Sequence, residues 1–518
     1  MAEAAPGYEL PPLKGGELAM GTLALSLGIF MNILDSSIAN VSIPAIAGDF
    51  AVSPNQGTWV ITSFAVSNAI SVPLTGWLTQ RFGAVRLFTL STVLFVLSSV
   101  LCGLAPNLGM LILFRVIQGL VAGPMIPLSQ ALLLQSYPRA KAGTALAFWS
   151  MTTLVAPVTG PLLGGWITDN LSWPWIFYIN VPVGIVSVVV TWNIYKTRET
   201  PTRKLPIDAV GLASLVLWVG ALQIMLDKGK ELDWFASTQI VVLGLVALVG
   251  FVFFLIWELG DEHPVVDLSL FARRNFWVGT LALALGYGVF FGNTVLLPLW
   301  LQQHMAYTAT WAGIIMAPVG LLALVVTPLV GKNVHKVDLR FLSSLGFCVF
   351  ALVLWMRTQF NTQADVVTLI MPTVIQGVAM ALFFVPLVTL INSGLPPQRI
   401  AAASGLSNFA RITAGAFGTS ITTTLWENRA AMHHAELTEA INSASIPTAQ
   451  ALSGLANLGL GQGQAMSFIN RSIDQQAYML SAADIFAASA ALFLSLIAVV
   501  WLARPVHGAA AVGGGGAH

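Results

Sequence analysis

Fourteen apolar stretches run through this chain, at approximately 18–43, 57–78, 85–105, 109–134, 143–168, 174–195, 209–226, 236–257, 276–301, 310–331, 341–357, 366–391, 401–425 and 480–503. A run of about 20 apolar residues is what an α-helix needs to cross the ~30 Å hydrocarbon core of a bilayer. Lipid offers no partner to a backbone N–H or C=O, so only helices and closed barrels can span it. The short segments of alternating polarity that build a barrel are absent, which leaves helices. Only 9% of the residues are charged and 56% are hydrophobic, against roughly 25% charged in soluble domains. The sequence therefore predicts an all-α integral membrane protein and excludes an ordinary soluble fold.

The first stretch contains an acid. Asp35 lies near the middle of an apolar run from Leu18 to Ile46, where an ionisable group costs at least ~2.5 kcal/mol unless it faces protein or water. At helical spacing Gly28, Asn32, Asp35, Ala39 and Ser42 share one narrow face. That small, polar stripe suits a cavity wall; the alternative is a close helix contact with Asp35 tied to a fixed partner. Two bases fall inside spans as well. Arg115 shares its face with Gln118, Gly119, Ala122 and Ser129, and Arg411 shares one with Ser404, Ser407, Asn408, Gly415, Gly418 and Thr422. An acid that meets a base in one conformation and an apolar setting in another would change its proton affinity, which makes Asp35, Arg115 and Arg411 candidate proton-coupling residues. A static ion pair is the competing reading for each base.

An even number of spans returns both ends to one side. With that side taken as cytoplasmic, it carries 16 of the Lys and Arg residues, and the other side carries only Lys228, Lys230, Arg357, Arg429 and Arg471. The asymmetry predicts cytoplasmic termini. Cys102 and Cys348 fall in separate spans and read as buried thiols. The segment from Trp426 to Tyr478 is too long for a mere connection. Its stretches around Asn428 to Ile441 and Gly463 to Leu480 have helical composition, so it reads as a periplasmic cap or docking surface, or else a mobile loop. His433 and His434 could suggest a metal site, but no carboxylate or thiol cluster accompanies them at ligand spacing.

The chain repeats itself. Pro44 matches Pro298, Trp59 matches Trp311, Pro73 with Gly76 matches Pro328 with Gly331, and Ile117-Gln118-Gly119 matches Ile375-Gln376-Gly377, in the same order and at nearly constant offset. Six spans are duplicated, with two inserted between the copies. The predicted organisation is a lead (1–17), a first six-helix bundle (18–195), a linker with two inserted spans (196–258), a second bundle (259–503, including 426–478) and a Gly-rich tail (504–518). Parallel repeats with a site between them are a recurring transporter plan. In the alignment Asp35 falls opposite Val289 and Arg115 opposite Thr373, so only the first copy keeps the acid and the base. The second offers Tyr287, Phe290, Phe291 and Asn293, suited to an apolar or aromatic solute or simply to packing. With Asn32, Ala39, Gln118 and Asn408, the residues Tyr287, Phe290 and Asn293 complete the expected substrate cavity.

No phosphate-binding Gly-x-x-x-x-Gly-Lys loop, His-Glu-x-x-His or Gly-x-Ser-x-Gly is present. No enzyme constellation, cofactor or metal site is expected, and the energy source must be a gradient or a partner. Leu34-Asp35 through Asn40 and Pro44, Gly76 to Arg86, Arg115 to Gly119, and Gly160-Pro161-Leu162-Leu163-Gly164-Gly165 resemble, in order, the motifs of fourteen-span drug:proton antiporters of the major facilitator superfamily. The sequence around Trp59, Trp149, Trp175 to Pro182 and Val266 to Phe271, and the Gly-rich tail, are similar to the EmrB type.

The resemblance implies a major facilitator fold and proton-driven export of hydrophobic, amphipathic or weakly acidic compounds across the bacterial inner membrane. It also implies a periplasmic adaptor similar to EmrA and an outer-membrane channel as partners. Gly76, Arg81, Gly83, Arg86, Gly160, Pro161, Gly164 and Gly165 become gating residues by the same route, with the glycines allowing close helix contact and Pro161 bending the span that seals the two halves. One departure stands out. The acid expected four residues after Gly76 is Gln80, and its repeat counterpart is His335. Arg81 and Arg86 are then expected to cap helix C-terminal carbonyls. Nutrient symport on the same fold, or a membrane sensor or assembly platform, remain open on the residues alone.

Overall fold

The computed structural model describes residues 11–506 apart from 53, 139–140, 204–205, 207, 262–263, 440 and 442–445; the side chains of 41, 54–55, 154, 157–158, 161–162, 169, 309–310 and 321 also lie outside the described residues. The outermost part of the lead and the Gly-rich tail thus fall outside it. Every regular element among the described residues is helical. The first half comprises α1 (Gly15–Asp49), α2 (Pro54–Gly57), α3 (Trp59–Ser71), α4 (Thr75–Phe82), α5 (Ala84–Gly103), α6 (Leu108–Ala122), α7 (Met125–Ser136), α8 (Ala142–Asn170), α9 (Trp175–Tyr178) and α10 (Asn180–Tyr195). The insert is α11 (Ala209–Lys228) and α12 (Thr238–Gly260). The second half comprises α13 (Arg274–His304), α14 (Ala309–Met316), α15 (Pro318–Asn333), α16 (Leu339–Arg357), α17 (Val366–Asn392), α18 (Pro397–Glu439), α19 (Ile446–Asn457) and α20 (Gln462–Trp501).

Twelve helical segments among the described residues are long and apolar enough to cross a membrane. The two remaining expected spans correspond to α8 and α18, helices of 29 and 43 residues. Several connections are closed by side-chain caps: Asn107, Asp208, Thr308, Asp338 and Asp365 each accept a backbone N–H from the first turn that follows.

The duplication shows in the packing. A Cβ on Gly119 of α6 would lie 2.0 Å from Ser67 Oγ and 2.5 Å from Phe64 O of α3. At the repeat position, a Cβ on Gly377 of α17 would lie 2.6 Å from Val319 O and 2.8 Å from Ala323 N of α15. Both glycines let one helix rest directly on the backbone of its neighbour.

Both ends of the described chain meet one face. Leu13 N–H donates to Ser136 O at 2.9 Å, and Arg504 N–H donates to Asn275 Oδ1 at 2.7 Å. On this terminal face the two halves touch closely. Cβ atoms built on Gly76 and on Gly143 would lie 2.7 Å from Ala402 Cβ and 2.3 Å from Gly331 O. Gly143 N–H also points to His335 Nε2 at 3.5 Å, and burial lowers the proton affinity of that imidazole below its usual value. On the far face the insert bridges the halves. Asp227 accepts from Thr62 Oγ1 at 2.6 Å, while Leu226 O accepts from Ser420 Oγ at 2.6 Å and Lys230 pairs with Glu427 at 2.7 Å.

The segment from Trp426 to Tyr478 is helical over most of its described length. It continues α18 and begins α20, with the unexpected short α19 between them. At 1.5 Å per residue the 43 and 40 residues of α18 and α20 reach ~60 Å, twice the hydrocarbon thickness. The base of this projection is fixed where Trp426 Nε1 donates to Tyr478 O at 3.0 Å and the His304 and Tyr478 rings stack at 3.9 Å. The histidines meet acids nonetheless: His433 lies 3.1 Å from Glu436 of its own helix and 2.9 Å from Asp484 of α20, and His434 lies 3.4 Å from Asp474 of α20. No group able to hold a metal ion is found among the described residues. Cys348, expected to be buried, lies exposed on the outer side of α16, whereas Cys102 is buried.

Candidate functional site

Asp35 is fully buried inside the first half and carries three donors. Arg115 Nη1 of α6 lies 2.5 Å from Oδ2, and Gln118 Nε2 and Asn180 Nδ2 donate to Oδ1 at 3.1 and 2.8 Å. Arg115 is held from the other side. Its Nε donates to Val60 O at 3.0 Å, its Nη1 also donates to Gln118 Oε1 at 2.7 Å, and its guanidinium lies 4.2 Å from the Phe64 ring centre. Ser99 Oγ of α5 accepts from both Gln118 and Asn180, at 2.8 and 3.2 Å. An acid, a base and three polar side chains from four helices thus form one network closed off from solvent. Such a network satisfies both carboxylate oxygens and binds four helices into one buried polar unit.

The sequence placed Asp35, Arg115 and Gln118 correctly on inward faces, but the stripe on α1 does not line open space. Asn32 Nδ2 donates to Ala122 O at 3.1 Å, Ser42 bonds Thr168 at 2.7 Å, and Ala39 belongs to an apolar cluster with Val60, Cys102 and Phe177. The physical reason is close packing: a small, polar helix face attracts neighbouring helices as readily as it borders a cavity. Asn293 is likewise turned inward, donating to Ser489 Oγ at 2.9 Å. Gly160 and Gly164 carry α8 onto α1: Cβ atoms there would lie 2.3 Å from Ser37 Oγ and 2.8 Å from Ile38 Cγ1. Gly165 belongs to the same helix, and the Pro161 side chain lies outside the described residues.

The second half holds two bases of its own. Arg411 is 5% exposed, donates to Asn408 Oδ1 at 3.2 and 3.0 Å, and lies 4.6 Å from the Tyr287 ring centre and 5.9 Å from that of Phe384. It meets neither Asp35 nor any other acid in an ion pair among the described residues. Tyr287 stacks on Phe291 at 5.5 Å and sits 6.0 Å from Phe290, so the expected aromatic group does assemble, around this guanidinium. Arg357 corrects the charge count. Assigned to a far-side loop by sequence, it is 1% exposed and donates to Gln376 Oε1 at 2.6 Å and Thr373 Oγ1 at 3.4 Å. Its stem continues α16 inward instead of ending the span in water. Gln376 and Thr373 are the repeat counterparts of Gln118 and Arg115.

Gly83 has φ +87°, and the space a side chain would need is filled by Glu199. The Glu199 carboxylate accepts from Val85 N–H at 3.0 Å and Arg86 N–H at 2.8 Å, so it caps the start of α5, and Arg86 Nε lies 4.0 Å from it. Arg86 therefore serves a helix N-terminal acid, not C-terminal carbonyls. Arg81 lies over the Trp77 ring at 5.3 Å. Sequence reasoning missed Ser99, Asn180, Arg357 and Glu199. Asn180 was findable as an amide inside a predicted span; Glu199 sits in a linker with no periodicity to mark it.

A duplicated helical bundle with a buried ion pair in one half and glycine contacts between the halves has the architecture of a membrane transporter. The chain belongs to the Major Facilitator Superfamily, whose model matches residues 25–419. It is 54% identical over 509 residues to the multidrug export protein EmrB of Escherichia coli strain K12, covering 98% of this chain and 99% of the other. It is 49% identical over 510 residues to the fatty acid resistance protein FarB of Neisseria gonorrhoeae, covering 98% and 100%. Its fold matches the human organic anion transporter MFSD10 with a TM-score of 0.58 at 12% identity, over 94% of this chain and 100% of that one. This last likeness is one of fold alone.

Proposed function

We propose that the protein is a proton-driven antiporter that exports hydrophobic, amphipathic or weakly acidic toxic compounds across a bacterial inner membrane. Fourteen helices, including α8 and α18, cross the membrane with both termini in the cytoplasm. The observation that carries the proposal is the asymmetry between the halves. The first seals one carboxylate against one base, and the second presents Arg411 among aromatic rings with no acid paired to it among the described residues.

Asp35 carries the proton, and Arg115 holds the unprotonated state. Arg411 with Asn408 meets an anionic head while Tyr287, Phe290 and Phe384 pack its apolar body. The close terminal-face contacts at Gly76 and Gly143 support a reading in which the pump is closed on its cytoplasmic side. The projecting ends of α18 and α20 supply the surface for a periplasmic adaptor similar to EmrA, which leads to an outer-membrane channel. The relatives named for multidrug export and fatty acid resistance support this reading.

The test is efflux and proton release in proteoliposomes with neutral, cationic and anionic hydrophobic probes. Asp35→Asn is expected to abolish gradient-driven efflux while leaving substrate exchange. Arg411→Gln is expected to lose anionic probes selectively, by about tenfold, the equivalent of one charge-assisted hydrogen bond. Full pumping by Asp35→Asn refutes the coupling role, and an equal loss for all probes refutes the role of Arg411.

A further inference from the structure

The insert contains a second buried acid that the transport cycle above does not use. Glu258, in the last turn of α12, is 3% exposed. Its Oε2 accepts the Val266 N–H at 3.2 Å, and its Oε1 is buried with no hydrogen-bond partner. Across from it stands Asp208, the residue that caps α11. Asp208 Oδ1 accepts from Val210 and Gly211 N–H at 3.1 and 2.9 Å, and the Trp257 indole N–H lies 3.0 Å from Oδ2. A Cβ added to Gly211 would lie 2.0 Å from Asp208 Oδ2 and 2.7 Å from Glu258 Oε1. The two carboxylate oxygens therefore both face the bare side of Gly211. The charged groups acting on Glu258 are Asp208 and Asp261, both acids, and no base pairs with Glu258 or Asp208 among the described residues.

Burial with one oxygen unmet, and an acid beside it, disfavours the charged form of a carboxylate, and that unmet oxygen is where a proton belongs. We propose that Glu258 is a proton-binding site on the insert, carrying the proton on its unmet Oε1 beside the Asp208 carboxylate. No bond other than O–H is made or broken. The bound proton lets the end of α12 sit beside the start of α11 without two facing charges. Glu258 Oε2 takes the Val266 N–H of the linker into the second half, which Asp267 anchors to Arg399 of α18 at 2.5 Å. Loss of the proton sets two negative charges against each other where that linker begins. The site lies on the terminal face, separate from Asp35, and it stands whichever direction transport takes.

Infrared spectroscopy of the full-length protein in nanodiscs tests it. At neutral pH the wild type is expected to show a protonated-carboxyl stretching band that shifts in D2O, disappears in Glu258→Gln and survives in Asp35→Asn. In Asp208→Asn, which removes the opposing charge, the midpoint for loss of that band is expected to fall by about one pH unit, a tenfold change in proton affinity. If Glu258→Gln removes only ionised-carboxylate absorption, or if the Asp208→Asn midpoint is unmoved, the bound proton beside Asp208 is refuted. Stabilisation of wild type, but not of Glu258→Gln, by added K+, Mg2+ or Ca2+ makes the pair a cation site and overturns the proposal equally.

Discussion

The Asp35–Arg115 pair makes a quantitative demand on stability that differs for its two members. In Asp35→Asn the guanidinium stays charged, because arginine does not give up its proton in a protein. Breaking a buried pair by removing one partner costs roughly 3–5 kcal/mol. Arg115 keeps Gln118 Oε1 at 2.7 Å, Val60 O at 3.0 Å and the Phe64 face at 4.2 Å, and these offset about 1–2 kcal/mol. A net loss of ~2–3 kcal/mol that does not change with pH is expected. In Arg115→Met the carboxylate has an escape, since it can take up a proton. Against the ordinary aspartate value that costs ~4 kcal/mol at pH 7 but only ~1.5 kcal/mol at pH 5. The second variant should therefore recover as pH falls, and the first should not. The double variant Asp35→Asn/Arg115→Met buries no charge and should be more stable at pH 7 than either single. The assay is thermal unfolding of detergent-purified protein, followed by tryptophan fluorescence at one fixed scan rate. A double variant no more stable than the weaker single, or an Arg115→Met whose deficit is the same at both pH values, refutes the reasoning.

The contact that closes the terminal face can be opened by one methyl group. A Cβ at Gly143 would sit 2.3 Å from Gly331 O, so Gly143→Ala should lengthen the distance between spin labels placed on the terminal ends of α4 and α18; an unchanged distance distribution refutes this. The same contact should respond to pH through His335. Gly143 N–H needs an unprotonated Nε2, and burial holds the folded histidine below the usual imidazole value of about 6.5. Stability from this group is complete above pH 6.5 and is lost as pH falls through the folded value. The label distance should lengthen on acidification in wild type and stay constant in His335→Gln.

Much of the fold is legible because the solvent imposes it. Lipid forces every backbone group to be satisfied within its own helix, so apolar length alone locates most spans. The repeat landmarks are legible because each does the same mechanical work twice, as Gly119 and Gly377 show in resting α6 on α3 and α17 on α15. The acid was legible for the opposite reason: an ionisable residue in an apolar run is too costly to be incidental, and the inward arginine and glutamine one turn apart on another span share its logic.

What periodicity cannot tell is which neighbour a face meets. The stripe from Gly28 to Ser42 reads equally as cavity wall or helix contact, and only the arrangement of α5, α6, α8 and α10 around α1 made it a contact. Arg357 was misplaced because a long side chain at the end of a span can turn inward or outward with the same backbone. Glu199, Asn180 and the Asp208–Glu258 pair depend on residues brought together from distant parts of the chain. By itself the sequence determined that this is a duplicated helical bundle in a membrane with one acid at its heart. The tertiary structure alone decided that the acid is sealed by four side chains, that Arg411 stands among aromatic rings with no acid paired to it among the described residues, and that glycines close the terminal face. Those facts are distances between chain-distant atoms, and no local pattern fixes them.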